Sequence, residues 1–185
     1  VEQSYLLSQQ FNGPVHSSAQ EMTLEYHRGQ ATLAIDIRAH DEGIAFRYRV
    51  SGLGKTRVVR EQTRFTFPED TGVWASPYRQ ARDYEETYPY VSAERIEGQH
   101  YSLPVLASIR NNRIWSLVTE AGTYVHPTYP ASHLRGVSTS KRSFEFRLPG
   151  PDESPTTDQD EKTTFLTGES LQTPWRVLLT SKSLD

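Results

Sequence analysis

A single glutamate at the end of an apolar segment is the first residue in this sequence that could carry chemistry. The stretch SLVTEAGTYV, residues 116–125, follows Ile114 and Trp115 and places Glu120 just before small residues. Burying a carboxylate costs on the order of several kcal/mol unless a cation or hydrogen-bond donors meet it. The sequence leaves two interpretations open: a structural carboxylate paired with an arginine, or a ligand of calcium or of a substrate. Calcium needs roughly six to eight oxygens, so most of such a site would come from elsewhere.

Aromatic residues between positions 74 and 101 form a second candidate site. This segment is predicted to be a long connection, and it contains Trp74 and Tyr84. Aromatic rings can stack on the apolar faces of sugar rings, but they can equally pack onto their own domain. His126, which precedes Pro127, is a further candidate that could line a pocket. The candidate substrate-binding residues are therefore Trp74, Tyr84 and His126.

The composition disfavours several other kinds of chemistry. The sequence has no cysteine, which excludes thiol catalysis, thiolate metal sites and disulfides. The six histidines lack the close spacing of a metal site, and SGLGKT at 51–56 is too short for a phosphate-binding loop and predicts a hairpin turn. Asp and Glu outnumber Lys and Arg by 23 to 20, which gives no electrostatic footprint for nucleic acid. No apolar run approaches the roughly 20 residues of a membrane-spanning helix.

The elements that must position these residues are β-strands. ATLAIDIRAH (31–40) and GIAFRYRV (43–50) alternate apolar and polar residues with a period of two, which is typical of half-buried antiparallel strands. The acidic residues at 41–42 predict a hairpin turn and not a catalytic pair. Further strands are predicted at Glu21–Tyr26, Arg57–Phe67, Leu103–Arg110, Ile114–Thr119, Ser143–Leu148 and Trp175–Thr180. No long helical period is visible, so the whole chain, 1–185, is predicted to be one all-β sandwich domain.

Four stretches carry a family resemblance by their shared order along the chain. They are IRAHDEGIAFRYRV (37–50), LPVL (103–106), IWSLVTEAGTYVHPTYPASHL (114–134) and QTPWRVLLTS (172–181). The first resembles a RAYDDGVAFRY segment, and the last resembles a TPWR strand that closes a domain. The middle two are similar to a strand followed by glutamate–alanine and tyrosine–proline motifs. Together they resemble the N-terminal domain of glycoside hydrolase family 97.

The resemblance implies an architecture and a role for Glu120. Members of this family are bacterial, exo-acting α-glycosidases, mostly α-glucosidases and α-galactosidases. In them an antiparallel super-β-sandwich of the galactose mutarotase type packs on a catalytic (β/α)8 barrel. The barrel carries the catalytic groups and most of a calcium site, to which the N-terminal domain contributes one glutamate. By its position in the glutamate–alanine motif, that glutamate is Glu120, and no catalytic residue is assigned in this chain.

We therefore expect the N-terminal domain of a calcium-dependent bacterial α-glycosidase, with the parent enzyme periplasmic or secreted. The expected partners are the catalytic barrel and, through the parent enzyme, a carbohydrate substrate. The domain alone would not hydrolyse that substrate. The alternative is a non-catalytic carbohydrate-binding sandwich that uses the Tyr- and Trp-rich segment, and a purely structural or adhesion-type sandwich is a third hypothesis.

Overall fold

A computed structural model of the chain describes residues 2–6, 14–54, 56–79, 86–123, 132–148, 165–166 and 170–184. The strands in these ranges are β1 (Glu2–Leu6), β2 (Pro14–Ser18), β3 (Gln20–Arg28), β4 (Ala31–His40), β5 (Gly43–Ser51), β6 (Arg57–Val58), β7 (Arg64–Thr66), β8 (Gly72–Pro77), β9 (Tyr90–Ser92), β10 (His100–Ile109), β11 (Ile114–Ala121), β12 (His133–Gly136), β13 (Ser143–Arg147), β14 (Phe165–Leu166), β15 (Ser170–Gln172) and β16 (Trp175–Ser181). One turn of 3-10 helix, Ala93–Arg95, lies between β9 and β10. Among these residues no helix is long and apolar enough to cross a membrane.

Most of the described strands form one antiparallel sheet. Along it the strands follow the order β3-β4-β5-β16-β11-β10-β12-β13-β7, while β15 pairs with β5 and β8 pairs with both β10 and β9. Two short ladders, β1 with β2 and β6 with β14, complete the pairing among the described strands. The strand β16 lies between β5 and β11, so it joins the early strands of the chain to the rest of the sheet.

The predicted hairpin at the start of the sheet is confirmed. The ladder between β4 and β5 runs from Thr32 opposite Ser51 to His40 opposite Gly43. At Gly43 the backbone passes so close to β16 that a Cβ atom would lie 2.1 Å from the carbonyl oxygen of Leu178. Only glycine avoids this clash, so Gly43 is needed where the hairpin meets β16.

The sheet folds over, so that β7 at one end packs against β5 on one face, here called the inner face. The ring of Phe46 on β5 lies 6.2 Å from that of Phe65 on β7, although these strands are far apart in the sheet order. Phe65 in turn contacts Phe146 of β13 at a centroid distance of 5.9 Å. Val105 and Val118, which face each other across β10 and β11, are fully buried in this core. Inward apolar positions of period-two strands thus form the sandwich interior.

The opposite, outer face carries a lattice of charges on its first strands. Asp36 is 3% exposed and accepts hydrogen bonds from Arg49 at 2.8 Å and from Arg47 at 2.9 Å. The hydrogen bond from Arg49, aided by that from Arg47, holds the pKa of this carboxyl well below its usual range. The guanidinium groups of Arg38 and Arg47 also lie over the ring of Trp175, at 4.6 and 4.5 Å from its centroid.

Three expectations about local structure are wrong. Residues 57–67 are not one strand, because β6 and β7 are separate and pair with β14 and β13. The segment 51–56 does not close a hairpin, since β5 and β6 do not pair with each other. Residues 74–101 are not a long connection, because they contain most of β8, all of β9 and the 3-10 helix. The strand β8 is buried on both faces, so it lacks the alternation that reveals β4 and β5.

Candidate functional site

Glu120 lies opposite Arg176 in the ladder between β11 and β16, on the inner face of the sheet. Arg176 Nη1 donates a hydrogen bond to Glu120 Oε2 at 2.5 Å, and Ser132 Oγ donates to the same oxygen at 2.6 Å. The side chain of Glu120 is 12% exposed, and that of Arg176 is fully buried. The predicted pairing of this carboxylate with an arginine is therefore confirmed.

Arg176 is the centre on which several segments converge. Its Nε and Nη2 donate to Glu61 Oε1 and Oε2 at 2.9 and 2.6 Å, which is a bidentate pair. Its Nη1 also donates to Ser132 Oγ at 3.0 Å, and its guanidinium carbon lies 4.1 Å from the centroid of the Phe146 ring. We call Glu61, Glu120, Ser132 and Arg176 the arginine cluster. Sequence analysis missed Glu61 and Ser132, which lie far from Arg176 along the chain and in no recognisable motif.

The arginine cluster contains two carboxylates but only one guanidinium. The side chains of Glu61 and Glu120 are 8% and 12% exposed, so both carboxylates are poorly solvated. Both hydrogen bonds that described residues make to the Glu120 side chain reach Oε2, and neither reaches Oε1. A carboxylate oxygen is a fitting ligand for a hard cation such as calcium.

The described residues do not build a complete metal site. Within them, no three His, Asp or Glu side chains are grouped so that they could hold one ion. Glu120 therefore fits calcium only as one ligand among several that come from elsewhere.

The other sequence-predicted site residues are not brought to Glu120. Tyr84 and His126 lie outside the described residues. Trp74 lies on β8 opposite Leu106, which is opposite Leu117 on β11. Side chains alternate along a strand, so Leu117 and Glu120 point to opposite faces. Trp74 therefore belongs to the outer face, where its ring centroid lies 5.1 Å from that of Tyr90 and 5.5 Å from that of Trp115.

A buried histidine pair is a feature that the sequence did not reveal. His133 is fully buried and stacks on Tyr78, with ring centroids 4.1 Å apart and planes 5° apart. His133 Nε2 and His100 Nδ1 share a hydrogen bond at 2.8 Å, in which either ring can be the donor. Burial, followed by the charges of His100, Arg147 and Arg135, lowers the pKa of His133 from 6.5 to about 3. This imidazole is thus held neutral at ordinary pH, and it is a structural group of the core.

An antiparallel sheet folded into a sandwich, with no described helix beyond one 3-10 turn, defines the class as all-β. The crystal structure of the Slr1438 protein from Synechocystis sp. PCC 6803 aligns with 98% of this chain and 66% of its own, with a TM-score of 0.50 and 10% identity. At that identity the likeness shows a shared fold alone. The crystal structure of a putative aldose 1-epimerase from Escherichia coli K12 aligns with 98% of this chain and 69% of its own, with a TM-score of 0.45 and 9% identity.

The chain belongs to the glycosyl-hydrolase 97 N-terminal family, whose sequence model matches residues 1–185. The resemblance drawn from the four sequence stretches is thereby confirmed. A probable retaining alpha-galactosidase from Streptomyces bingchenggensis (strain BCW-1) is 29% identical over 154 residues. The match covers 82% of this chain and 21% of that protein, so the chain spans about one fifth of the relative's length.

Replacing Arg176 by methionine tests whether the arginine cluster holds the fold together. We expect Arg176→Met to lower the free energy of unfolding by about 3–5 kcal/mol, because two poorly solvated carboxylates lose their shared partner. Urea unfolding followed by tryptophan fluorescence measures the loss. Arg79→Met is the matched control, since the side chains of Arg79 and its partner Glu86 keep 68% and 32% exposure and such a pair is worth at most about 1 kcal/mol. Similar losses in the two variants would contradict this role.

The buried histidine predicts a specific loss of stability in mild acid. As the pH falls below 6.5, the unfolded chain binds a proton on His133 that the folded chain does not bind until the pH is near 3. The free energy of unfolding should therefore fall by about 2 kcal/mol between pH 6.5 and pH 5 through this residue. Asp36 adds nothing in this window, because its pKa is lowered from 3.8 and its contribution is lost only below that value.

The variant His133→Phe, which can still stack on Tyr78, should lack that part of the pH dependence in urea unfolding. His27→Phe is the control, because the side chain of His27 is 65% exposed and its replacement should leave the slope unchanged. A slope that persists in His133→Phe would show that another group causes it.

Proposed function

We propose that this chain is the N-terminal domain of a calcium-dependent, exo-acting bacterial α-glycosidase that acts on α-glucosides or α-galactosides. Membership of the glycosyl-hydrolase 97 N-terminal family supports a glycosidase as the parent protein. The activity for which the relative is named, that of a probable retaining alpha-galactosidase, supports an α-linked substrate. In this proposal the domain buttresses a catalytic (β/α)8 barrel, and the parent enzyme works in the periplasm or outside the cell.

The observation that carries the proposal is the state of Glu120 at the end of β11. Its Oε2 is fixed by Arg176 and Ser132, while Oε1 has no partner among the described residues. A carboxylate needed only to neutralise Arg176 would be redundant, since Glu61 already forms a bidentate pair with that arginine. The second, partly exposed carboxylate is therefore proposed as the ligand that the domain offers to calcium.

The residues around Glu120 would serve to orient it. Groups that hydrogen-bond a ligating carboxylate fix its direction and reduce the conformational entropy that is lost on binding a metal ion. In this chain Arg176 and Ser132 fill that role, and the ring of Phe146 packs against the guanidinium of Arg176. Bound calcium would supply polarisation of the glycosidic oxygen or electrostatic support of a general acid. The remaining ligands and both catalytic groups would come from the barrel.

The chain 1–185 by itself should show no turnover of 4-nitrophenyl α-glucoside or α-galactoside. The reason is that the proposed acid and the base or nucleophile lie on the barrel, and one calcium ligand cannot replace them. Release of nitrophenol is measured with added calcium and with chelator, against buffer alone as control. Chelator-sensitive hydrolysis by the chain alone would refute the proposed division of labour.

In the full-length protein that contains this chain, Glu120→Gln should weaken calcium binding by at least about tenfold. Glutamine keeps the shape and can still accept hydrogen bonds from Arg176 and Ser132, but it removes the negative charge. Calorimetric titration with calcium measures the affinity.

The matched control for this experiment is Glu61→Gln. It also removes one negative charge from a partner of Arg176, but Glu61 is not the proposed calcium ligand. We therefore expect the calcium affinity to stay within about threefold of the original value. An equal loss in both variants would mean that the calcium site senses only the integrity of the arginine cluster. In that case Glu120 would not be a ligand.

A further inference from the structure

The outer face carries an apolar stripe that the proposed calcium function does not use. Its residues face one another across five neighbouring strands, β9, β8, β10, β11 and β16. In that order they are Tyr90, Trp74, Leu106, Leu117 and Leu179. Tyr90 is 62% exposed and Leu179 is 38% exposed, and the three residues between them are half-buried. We call this row the outer stripe.

Three aromatic rings cluster at one end of the outer stripe. The ring of Trp74 meets Tyr90 edge-on at 64° and lies tilted by 36° against Trp115. Tyr90 can lie over the sheet because its cross-strand diagonal neighbour is Gly72, where a Cβ atom would come within 2.3 Å of the tyrosine ring. Gly72, which has no side chain, thus leaves room for the exposed ring of Tyr90.

A small, mainly apolar cavity adjoins the other end of the outer stripe. It has a volume of about 290 Å³, and Leu179 belongs both to its lining and to the stripe. Trp175 and Val177 supply apolar walls, while Arg38 and His40 supply polar ones. Arg38 also lies over the Trp175 ring and so holds that ring in place. Apolar walls with a few fixed polar groups are the usual composition of small-ligand sites.

The dimensions of the outer stripe favour an extended small ligand over a protein. Five strands spaced by about 4.8 Å give a length of about 19 Å, and a width of about 10 Å gives an area on the order of 200 Å². A stable protein interface needs roughly 800 Å² on each partner. Beyond Leu179 the outer face continues as the ion-paired surface of Asp36 and its arginines, which is unlike the apolar centre of a protein interface.

We propose that the outer stripe binds an oligosaccharide of a few sugar units at a site separate from the calcium-linked one. Tyr90, Trp74 and Trp115 stack against the C–H faces of the sugar rings, and the aliphatic residues carry the chain across the sheet. Arg38 and His40 hydrogen-bond hydroxyl groups where the ligand enters the cavity. The carbohydrate class is favoured by the glycosyl-hydrolase family of the chain. A neutral ligand suits the cavity, whose wall includes the acidic Glu42 as well as the basic Arg38.

Calorimetric titration of the chain 1–185 with maltoheptaose, and separately with stachyose, tests this inference. Millimolar or tighter binding of at least one of them is expected. Tyr90→Ala should weaken it roughly three- to tenfold, because one stacking ring is lost. Tyr90 is exposed, so its replacement should not unfold the chain. Tyr26→Ala is the matched control, since Tyr26 is a comparably exposed tyrosine (56%) on β3, away from the outer stripe.

Three outcomes would overturn the inference: no binding of either sugar, equal affinity of Tyr90→Ala and the unmodified chain, or a dimer that Tyr90→Ala dissociates in sedimentation. The last would make the outer stripe a protein interface. The titration is run without calcium. Failure of the calcium proposal therefore leaves this result unaffected, and failure here leaves the calcium proposal unaffected.

Discussion

Burial of one guanidinium between two carboxylates is the constraint on which the rest of this domain depends. Arg176 is fully buried, and it meets its partners only if β16 pairs with β11 and if the segments carrying Glu61 and Ser132 close over it. A buried charge of this kind adds little net stability when it is fully paired, and it is very costly when one partner is missing. The buried arginine thus destabilises sheet arrangements with the wrong register, in which it would lack a partner, more than it stabilises the native arrangement. The same pairing holds Glu120 in a single orientation at the strand end.

Alternation in the sequence locates β4, β5 and β13 and the turn at Asp41–Glu42. It does not predict which side chains are buried, since Ala34 and Asp36 are the buried residues of β4 and the first four residues of β13 are all buried. Alternation fails for β8, because residues on both of its faces are covered. It also fails for β6, which has only two residues and pairs with a strand more than 100 positions away. Pairings of that range depend on the whole sheet and leave no local signal.

The candidate site was half visible in the sequence for a related reason. A glutamate at an inward position of an apolar strand requires a partner, and Arg176 shows the same anomaly within PWRVLL. Glu120 and Arg176 pair with each other because of the register between β11 and β16. The two residues are 56 positions apart in the sequence, so no local pattern links them. Trp74 shows the opposite case. Its residue type suggested a binding role, but only the sheet order reveals that its neighbours are Tyr90 and Trp115, on the face away from Glu120.

The place of β16 in the sheet also bears on how the chain folds. The meander from β3 to β5 is complete by residue 51, whereas the strand that joins it to β11 begins at Trp175. During synthesis, β16 leaves the ribosome more than 100 residues after the meander. Until then the edges of β5 and β11 that pair with β16 have no partner strand. Topologies dominated by such distant pairings fold slowly, because loop closure must precede the contacts that reward it. The open edges would be prone to pairing with other chains until β16 enters between them.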